Sequence, residues 1–536
     1  MDIDMSVYHG ELRARLRRAE AERAARVAAG VFDAVPRVSR ALAAKDVLVT
    51  GGSGFMGRVL LEKLLRSCPD IGTVYLLLRA KKGVAPADRV ADIVNVPLFD
   101  QVRREQPECL SKLVAVSGDC AELGLGLAAE DRAMLRDRVS VVFHGAASVR
   151  FDDPVQKAVL LNTRGAREVA ELCAGMRQLQ ASALVYTSTA YTNMNQDMVE
   201  ERLYPAQLDW RRVIRAAEDA DTAAAMDNLG PKLLRYHPNT YTFSKALAEH
   251  IMAEAAASLN LPVVIVRPTV VIGAAKEPLV GWLDNLNSPA TLWAAVAMGV
   301  IRVSRLFSTD AVTDYLPVDI VTKATIMAAW STATDQWRSK GEDAEKGLNL
   351  PVVNVAISDV HAVPGWVCYE IYHKSVRLRA PAPRAIRYPV FLDVADNWLL
   401  YTAMHLVYHV MFGAVMDGLL RLTKQKPRLM KVYRKLELVN VALKPLVGRK
   451  TYAFDTSRFW KLQGLMHPDD IQDFDLDLDS LDPRIDGSNQ LEGIYKYALK
   501  ENFDRQKALQ HNNRLFWIEI GFYMFVIALF IFWYAF

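Results

Sequence analysis

Between residues 45 and 270, short apolar runs alternate with longer amphipathic ones. DVLVT (46–50), TVYLLLR (73–79), 112–117, 139–144, 183–187 and LPVVIVRPT (261–269) are each short and largely apolar, as buried strands are. The residues that follow Gly57 repeat apolar positions at helical spacing to Leu65. Pro238 and Asn239 start a second helix, which continues through the helix-forming run Lys245-Ala-Leu-Ala-Glu-His. Strands in alternation with helices predict an α/β fold, a doubly wound parallel sheet of the Rossmann type. Residues 310–320 read as the last loop and strand of this unit, and the polar stretch 336–348 as a surface loop. From 360 to 510 the pattern becomes helical and mixed. Trp398 to Leu422 is apolar and aromatic but broken by His405, His409 and Asp417, which predicts a buried or membrane-lying helix and not a second span. The run 515–536 has 22 residues and one charge, Glu519. At 1.5 Å per residue it extends ~33 Å, enough to cross a ~30 Å hydrocarbon layer.

The expected organisation is therefore an N-terminal basic helical arm (1–44), a Rossmann domain (45–355), a helical C-terminal domain (356–510) and a transmembrane tail anchor (515–536). Lys500, Arg505, Lys507 and Arg514 precede the apolar tail, so the bulk of the chain is expected on the cytosolic side. Residues 11–28 lack the apolar core of a secretory signal and read as a solvated or amphipathic helix. Over 536 residues the net charge is +4, and no basic stripe interleaves with aromatics, which excludes a nucleic-acid partner. Five scattered cysteines have no paired spacing, so neither a disulfide framework nor a zinc site is suggested. Residues 424–450 carry nine Lys or Arg against one acid, Glu437; three readings fit, a face for anionic headgroups, a contact for a ligand's phosphates or a solvated helix. The acidic run Asp469–Asp482 is expected to face solvent.

Candidate chemistry starts where the first strand ends. Thr50 runs into Gly51-Gly52-Ser53-Gly54-Phe55-Met56-Gly57 and then a helix, the strand–turn–helix context a dinucleotide fingerprint requires. Gly51 permits the tight turn, Gly54 lets backbone approach a pyrophosphate, and Gly57 allows close helix packing, with the helix N-terminus facing the anion. The second strand ends in Arg79-Ala80-Lys81-Lys82, where an acidic residue would hold the ribose hydroxyl of NAD; cations there suit a 2′-phosphate and predict NADPH. Asp119 is placed for the adenine side, and Ala146, among small residues at the fourth strand end, for close cofactor approach. His144 reads as a packed histidine, and Asn162 as a polar support beneath the site. Tyr241 and Lys245 stand one helical turn apart, so an ammonium lies close enough to favour a phenolate. Such a tyrosine can pass a proton to an oxygen while hydride reaches the adjacent carbon. No cysteine stands in a nucleophile context, Cys120 being read as lying away from this group.

These motifs resemble the fatty acyl-CoA reductases, the alcohol-forming branch of the extended short-chain dehydrogenase superfamily. TGGSGFMGRVLLEKLLRSCP (50–69), YLLLRAKKG (75–83), VFHGAASVRF (142–151), YTSTAYTN (186–193), PNTYTFSKALAE (238–249), IVRPTVV (265–271) and KEPLVGWLDN (276–285) stand in family order. KQKPRLMKVYRKL (424–436) and GIYKYALKE (493–501) extend the resemblance over most of the chain from Ala44. It implies long-chain acyl-CoA as substrate, two NADPH consumed, a primary alcohol released and a membrane location, endoplasmic reticulum or peroxisome. By alignment of motifs, Thr189 supplies the hydroxyl that stabilises the carbonyl oxygen beside Tyr241, with Ser188 in reserve, and Lys245 holds the ribose. A homodimer through helices beside Tyr241 is the superfamily's habit. Asn287-Ser288-Pro289 departs from the family's usual Gly-Pro, and Asp486-Gly487 lacks its usual tryptophan. The competing expectations are a membrane-bound sterol or nucleotide-sugar dehydrogenase sharing the glycine turn, Tyr241 and Lys245, and a catalytically inactive cofactor-binding scaffold.

Overall fold

The structure is a computed structural model that describes residues 10–33, 35–81, 83–179, 182–286, 290–306, 310–336, 350–359, 363–394, 397–444, 446, 450–476 and 483–535. Lys82, Asn287–Pro289 and all but Gln336 of the expected loop 336–348 lie outside these residues.

In chain order the framework is α1 (Gly10–Ala28), β1 (Asp46–Thr50), α2 (Phe55–Ser67), β2 (Val74–Leu78), β3 (Leu113–Ser117) and β4 (Val139–His144). Next come α3, built of the abutting segments Val155–Ala158, Val159–Arg164 and Gly165–Ala174, then β5 (Ala183–Thr187), α4 (Thr240–Ser258), β6 (Val263–Pro268), α5 (Val318–Ala333) and β7 (Val352–Val355). The strands form one parallel sheet in the order β7-β6-β5-β4-β1-β2-β3. Both faces are covered, which is why these strands read as continuous apolar runs. Val49, Leu61, Leu64, Leu76, Val321 and Trp330 belong to the core under α2 and α5, and Leu48, Val142, Val169, Leu184, Leu247 and Met252 to the core under α3 and α4. The order of connection reverses between β1 and β4, so their C-terminal ends open a crevice where α/β sheets bind ligands.

One local expectation, that residues 310–320 hold the last strand, is corrected. Tyr315–Pro317 pairs with Val270–Ile272 in a separate two-stranded piece, and Val318 already begins α5. The last strand of the main sheet is β7, which follows the expected loop. α5 is buried almost all round, and periodicity alone does not separate such a helix from a strand.

The helical C-terminal region shares its cores with the sheet. Phe459, Trp460 and Leu465 join the core beneath α2 and α5, and Ala453–Phe454 pairs with Met198–Val199. Tyr372, Phe391, Tyr433 and Tyr495 pack with Trp293, Leu283 and Ala190 in a third core.

The N-terminal arm is a strap, not a freely solvated helix. Arg23 of α1 donates to the Gln463 carbonyl (3.3 Å) and Arg26 to Gln336 (3.0 Å). Downstream, the Val38 N–H donates to Asp470 (2.9 Å) and Trp330 donates to the Pro36 carbonyl (2.8 Å). Asp470 is thus buried at the strap, whereas the sequence placed it in solvent; its carboxylate is what receives Val38 and Arg37 (3.3 Å). Residues 477–482 of that acidic run lie outside the described residues.

Further helices of the C-terminal region include α6 (Trp398–Leu422), α7 (Leu429–Leu443) and α8 (Arg505–Ala535). α6 and α8 are long and apolar enough to cross a membrane. The expectation that α6 is buried fails, since Leu399, Met411, Val415 and Leu422 are exposed.

Candidate active site

The glycine turn sits at the crevice because backbone, not side chains, fills it. Gly51 has φ +80°, a left-handed conformation, and a Cβ there would stand 2.7 Å from the Ala146 nitrogen. A Cβ on Gly57 would collide with the Gly51 carbonyl and come within 2.7 Å of the Gly52 Cα. Gly54 is the N-cap of α2 and has no side-chain cap. The first amides of α2 therefore face the crevice beside Ser53, Phe55 and Met56, in a form suited to phosphate oxygens. Thr50 closes the floor: its hydroxyl bonds His144 Nδ1 (2.7 Å) and accepts from the Ala146 N–H (3.2 Å). His144 is fully buried against Tyr186, and burial with nearby Lys245 holds its pKa down to about 3. It is a neutral packing group at any working pH.

At the far end of the crevice, Arg79 follows β2 and Asp119 follows β3, and the two pair at 3.2 Å. Arg79 remains largely exposed, whereas Asp119 spends its other oxygen on the Ala121 N–H (3.0 Å). The cradle for a dinucleotide thus fits: glycine turn, uncapped helix start, small strand end at Ala146 and a cation where an adenine ribose would lie.

Helix α4 carries Tyr241 and Lys245. Asn239 starts it by accepting the Thr242 N–H (2.9 Å), a side-chain N-cap. Thr189 leaves the end of β5; its hydroxyl donates to the Pro268 carbonyl (3.5 Å) and lies near enough to the Tyr241 phenol to favour the phenolate. Its backbone neighbourhood adds the Tyr191 N–H (3.4 Å) as a donor to the same oxygen. Ser188, the reserve candidate, is occupied elsewhere: it donates to Glu249 (2.6 Å), itself clamped by Arg267 through bonds of 2.8 and 2.7 Å. That buried Glu249–Arg267 pair ties α4 to β6, and sequence reading missed it; a charge inside the apolar run IVRP was its signal.

Lys245 is buried one turn along α4 from Tyr241. It is 2 % exposed, donates to the Thr187 carbonyl (2.7 Å) and lies over the Tyr186 ring (4.5 Å). Burial lowers its pKa to about 7 against the opposing charges of Glu249 and Cys120. The Tyr241 phenol is pushed up to about 12 by burial, only partly offset by the Thr189 hydroxyl. The phenol is therefore held protonated. Cys120 is nearer to Lys245 than the sequence suggested, yet burial raises its thiol to about 12, which leaves it inert as a nucleophile.

Around this group the polar supports interlock. Asn162 of α3 accepts the Ser148 N–H (2.8 Å) and donates to the Ser148 carbonyl (3.1 Å) and to Ser244 (2.9 Å). Ser244, between Tyr241 and Lys245, and the Ser148–Asp153 bond (2.5 Å) were not singled out from the sequence. The segment 276–285 braces the glycine turn from behind. Glu277 meets Lys63 (3.0 Å), Arg66 (2.6 Å) and Lys323 (2.5 Å), and Asp284 meets Arg58 (3.0 Å) on the first turn of α2.

A doubly wound parallel sheet, a glycine turn at its switch point and a Tyr-x-x-x-Lys helix beside it define a nicotinamide-dinucleotide-dependent reductase of the extended short-chain class. An NAD-binding family model described as "Male sterility protein" matches residues 49–325, and a second of that description residues 408–501. The chain is 35 % identical over 486 residues to "Fatty acyl-CoA reductase 1" of Xenopus laevis, covering 90 % of this chain and 91 % of that one. It is 34 % identical over 486 residues to the Homo sapiens protein of the same name, with the same coverage. It is 32 % identical over 488 residues to "Fatty acyl-CoA reductase 2" of Bos taurus, covering 91 % and 90 %. Among solved structures, the terminal R domain of the myxalamid pathway aligns at TM-score 0.53 and 19 % identity, over 88 % of this chain and 95 % of that one. The reductase domain of a Mycobacterium tuberculosis non-ribosomal peptide synthetase aligns at 0.55 and 18 %, over 86 % and 92 %. These two share the fold. The chain belongs to the fatty acyl-CoA reductases.

Proposed function

We propose that this chain reduces long-chain fatty acyl-CoA to the primary alcohol in two hydride transfers, with NADPH as reductant. The observation that carries the reading is the nearness of the Thr189 hydroxyl to the Tyr241 phenol, on the helix that carries Lys245 one turn further on. Thr50, Gly51, Ser53, Gly54, Phe55, Met56, Gly57, Arg79, Asp119 and Ala146 would hold the dinucleotide, which would supply the hydride. Thr189 and Tyr241 point two hydroxyl donors at one carbonyl oxygen, where charge grows as the carbon becomes tetrahedral. In the first reduction the thiohemiacetal so formed breaks its C–S bond, the carbonyl re-forms, and CoA leaves as the thiol. In the second the aldehyde carbon receives hydride and Tyr241 gives its proton to the oxygen. A phenol held protonated is the form this direction needs. Lys245 would hold the ribose hydroxyls and return the lost proton toward the phenol.

NADPH is favoured over NADH by Arg79 at the end of β2, where a guanidinium can pair a 2′-phosphate. The apolar α8 and the cations before it support a tail anchor with the body on the cytosolic side of the endoplasmic reticulum or the peroxisome. A homodimer through helices beside Tyr241 belongs to the same reading, and the mass of the detergent-solubilised protein reads it. The test is NADPH oxidation with palmitoyl-CoA, the products being extracted and identified by mass. Fatty alcohol at about two NADPH per acyl chain, absent in Tyr241→Phe, is the expected result. Aldehyde as the sole product would limit the enzyme to one reduction.

A further inference from the structure

Helix α6 has its polarity the wrong way round for a helix in water. The row His409, Gly413 and Asp417 faces the protein, while Val407, Met411, Val415, Leu419 and Leu422 are exposed, Leu422 at 82 %. The inward row is fully engaged. His409 Nε2 accepts the Arg302 N–H (3.0 Å), Gly413 lies against Tyr433 and Met430 of α7, and Asp417 accepts the N–H groups of Arg428, Leu429 and Met430 (2.8, 2.8 and 3.0 Å). Asp417 thereby closes α6 and α7 into an antiparallel hairpin, which Tyr401 reinforces by donating to Glu437 (2.9 Å).

The hairpin cannot cross a membrane as built. Its second arm carries exposed Lys431, Arg434 and Lys435, and its turn carries exposed Lys424, Lys426 and Arg428. A crossing would place the arm's charges in hydrocarbon beside α6. The level of the bilayer is set independently by α8. Arg302, 3 % exposed, donates to Glu519 (2.6 Å) as well as bonding His409, and Tyr388 packs on Phe516 (5.1 Å). Beyond Glu519 the described side chains of α8 are exposed and apolar up to Trp533 and Tyr534. The point at which α8 leaves the body is thus level with the middle of α6.

We infer that the α6–α7 hairpin is a lipid-docking surface: α6 lies in the plane of the membrane with its apolar row among the acyl chains, and the cations of the turn and of α7 meet anionic headgroups. An in-plane helix with an apolar face and a flanking basic set is the pattern that binds an anionic leaflet. The inference is independent of the reaction proposed above.

The test uses the full chain in a Cys368→Ser background, the other four cysteines being buried. Leu399→Cys, Val415→Cys and Leu422→Cys are labelled singly with an environment-sensitive fluorophore and reconstituted into phosphatidylcholine vesicles with or without phosphatidylserine. All three labels are expected to be quenched severalfold more by lipids spin-labelled near the headgroup than by those labelled near the chain end. External dithionite is expected to bleach both Leu399→Cys and Leu422→Cys. Protection of one end would make α6 a crossing helix and overturn the inference. Absence of lipid quenching at all three would overturn it too, as when a second copy or another protein covers the row. Lys424→Glu with Lys426→Glu and Lys431→Glu is expected to reduce quenching in phosphatidylserine vesicles to the level in phosphatidylcholine alone; unchanged quenching would remove the headgroup part.

Discussion

Tyr241, Thr189 and Ser188 put three hydroxyls within a few residues of one another in space, and their neighbours sort them. Ser188 is bound to the Glu249–Arg267 pair, so Ser188→Ala is expected to lower stability by about 1–3 kcal/mol, as lost buried hydrogen bonds do, with modest loss of turnover. Thr189→Val is expected to lower kcat about 10²–10³-fold with the melting temperature little changed. Steady-state kinetics beside thermal unfolding separates the two. Alignment of motifs put Thr189 ahead of Ser188, but the partner that occupies Ser188 lies 61 residues away on α4, where no local pattern announces it. Lys245 carries a pH prediction. Its folded value is lowered to about 7 from 10.5, so its ammonium is present below that value and lost as pH rises through it. NADPH affinity is expected to weaken over the pH unit above 7, and Lys245→Met to flatten the profile; fluorescence titration reads both. The linked stability has the opposite slope: the unfolded chain keeps the proton to about 10.4, so stability rises with pH between the two values.

At the scale of elements, the glycine turn and the strands were legible because both depend on local rules. A strand covered on both faces is a continuous apolar run, and a turn without room for Cβ atoms is a glycine set. Gly57→Ala is expected to abolish measurable NADPH binding while the chain still folds, since the added carbon falls on the Gly51 carbonyl at the cofactor's edge. Less legible was α5, whose buried surface reads like a strand, and with it the true last strand β7. The Glu249–Arg267 bond between α4 and β6 is the least local of these features. Arg267→Ala leaves a buried carboxylate without its partner, an omission that costs about 3–5 kcal/mol in comparable pairs. Chemical denaturation is the measurement, with Arg267→Met as the variant expected to recover part of the packing.

At the scale of the molecule, sequence composition suggested a reductase domain followed by a helical one, and the side chains connect them more closely. Trp460 and Leu465 complete the core under α2, Trp293 stacks on Tyr372 (4.5 Å), and Gly273 exchanges two bonds of 2.8 Å with Gln490. None of these partners is near in sequence, so no local pattern announces them. The N-terminal strap crosses the same junction. Deleting residues 10–37 is expected to lower the melting temperature of the whole protein without changing the NADPH dissociation constant, as differential scanning and titration would read.

The shared cores have a consequence for inheritance. A stretch with its own core can be exchanged between relatives, since each half brings everything it needs to fold. Residues after 356 bring only one wall of the third core, whose other wall includes Leu283, Trp293 and Ala190. A chimera joined near residue 356 would confront side chains selected against different neighbours. A change on one side of that boundary is therefore expected to need a matching change on the other.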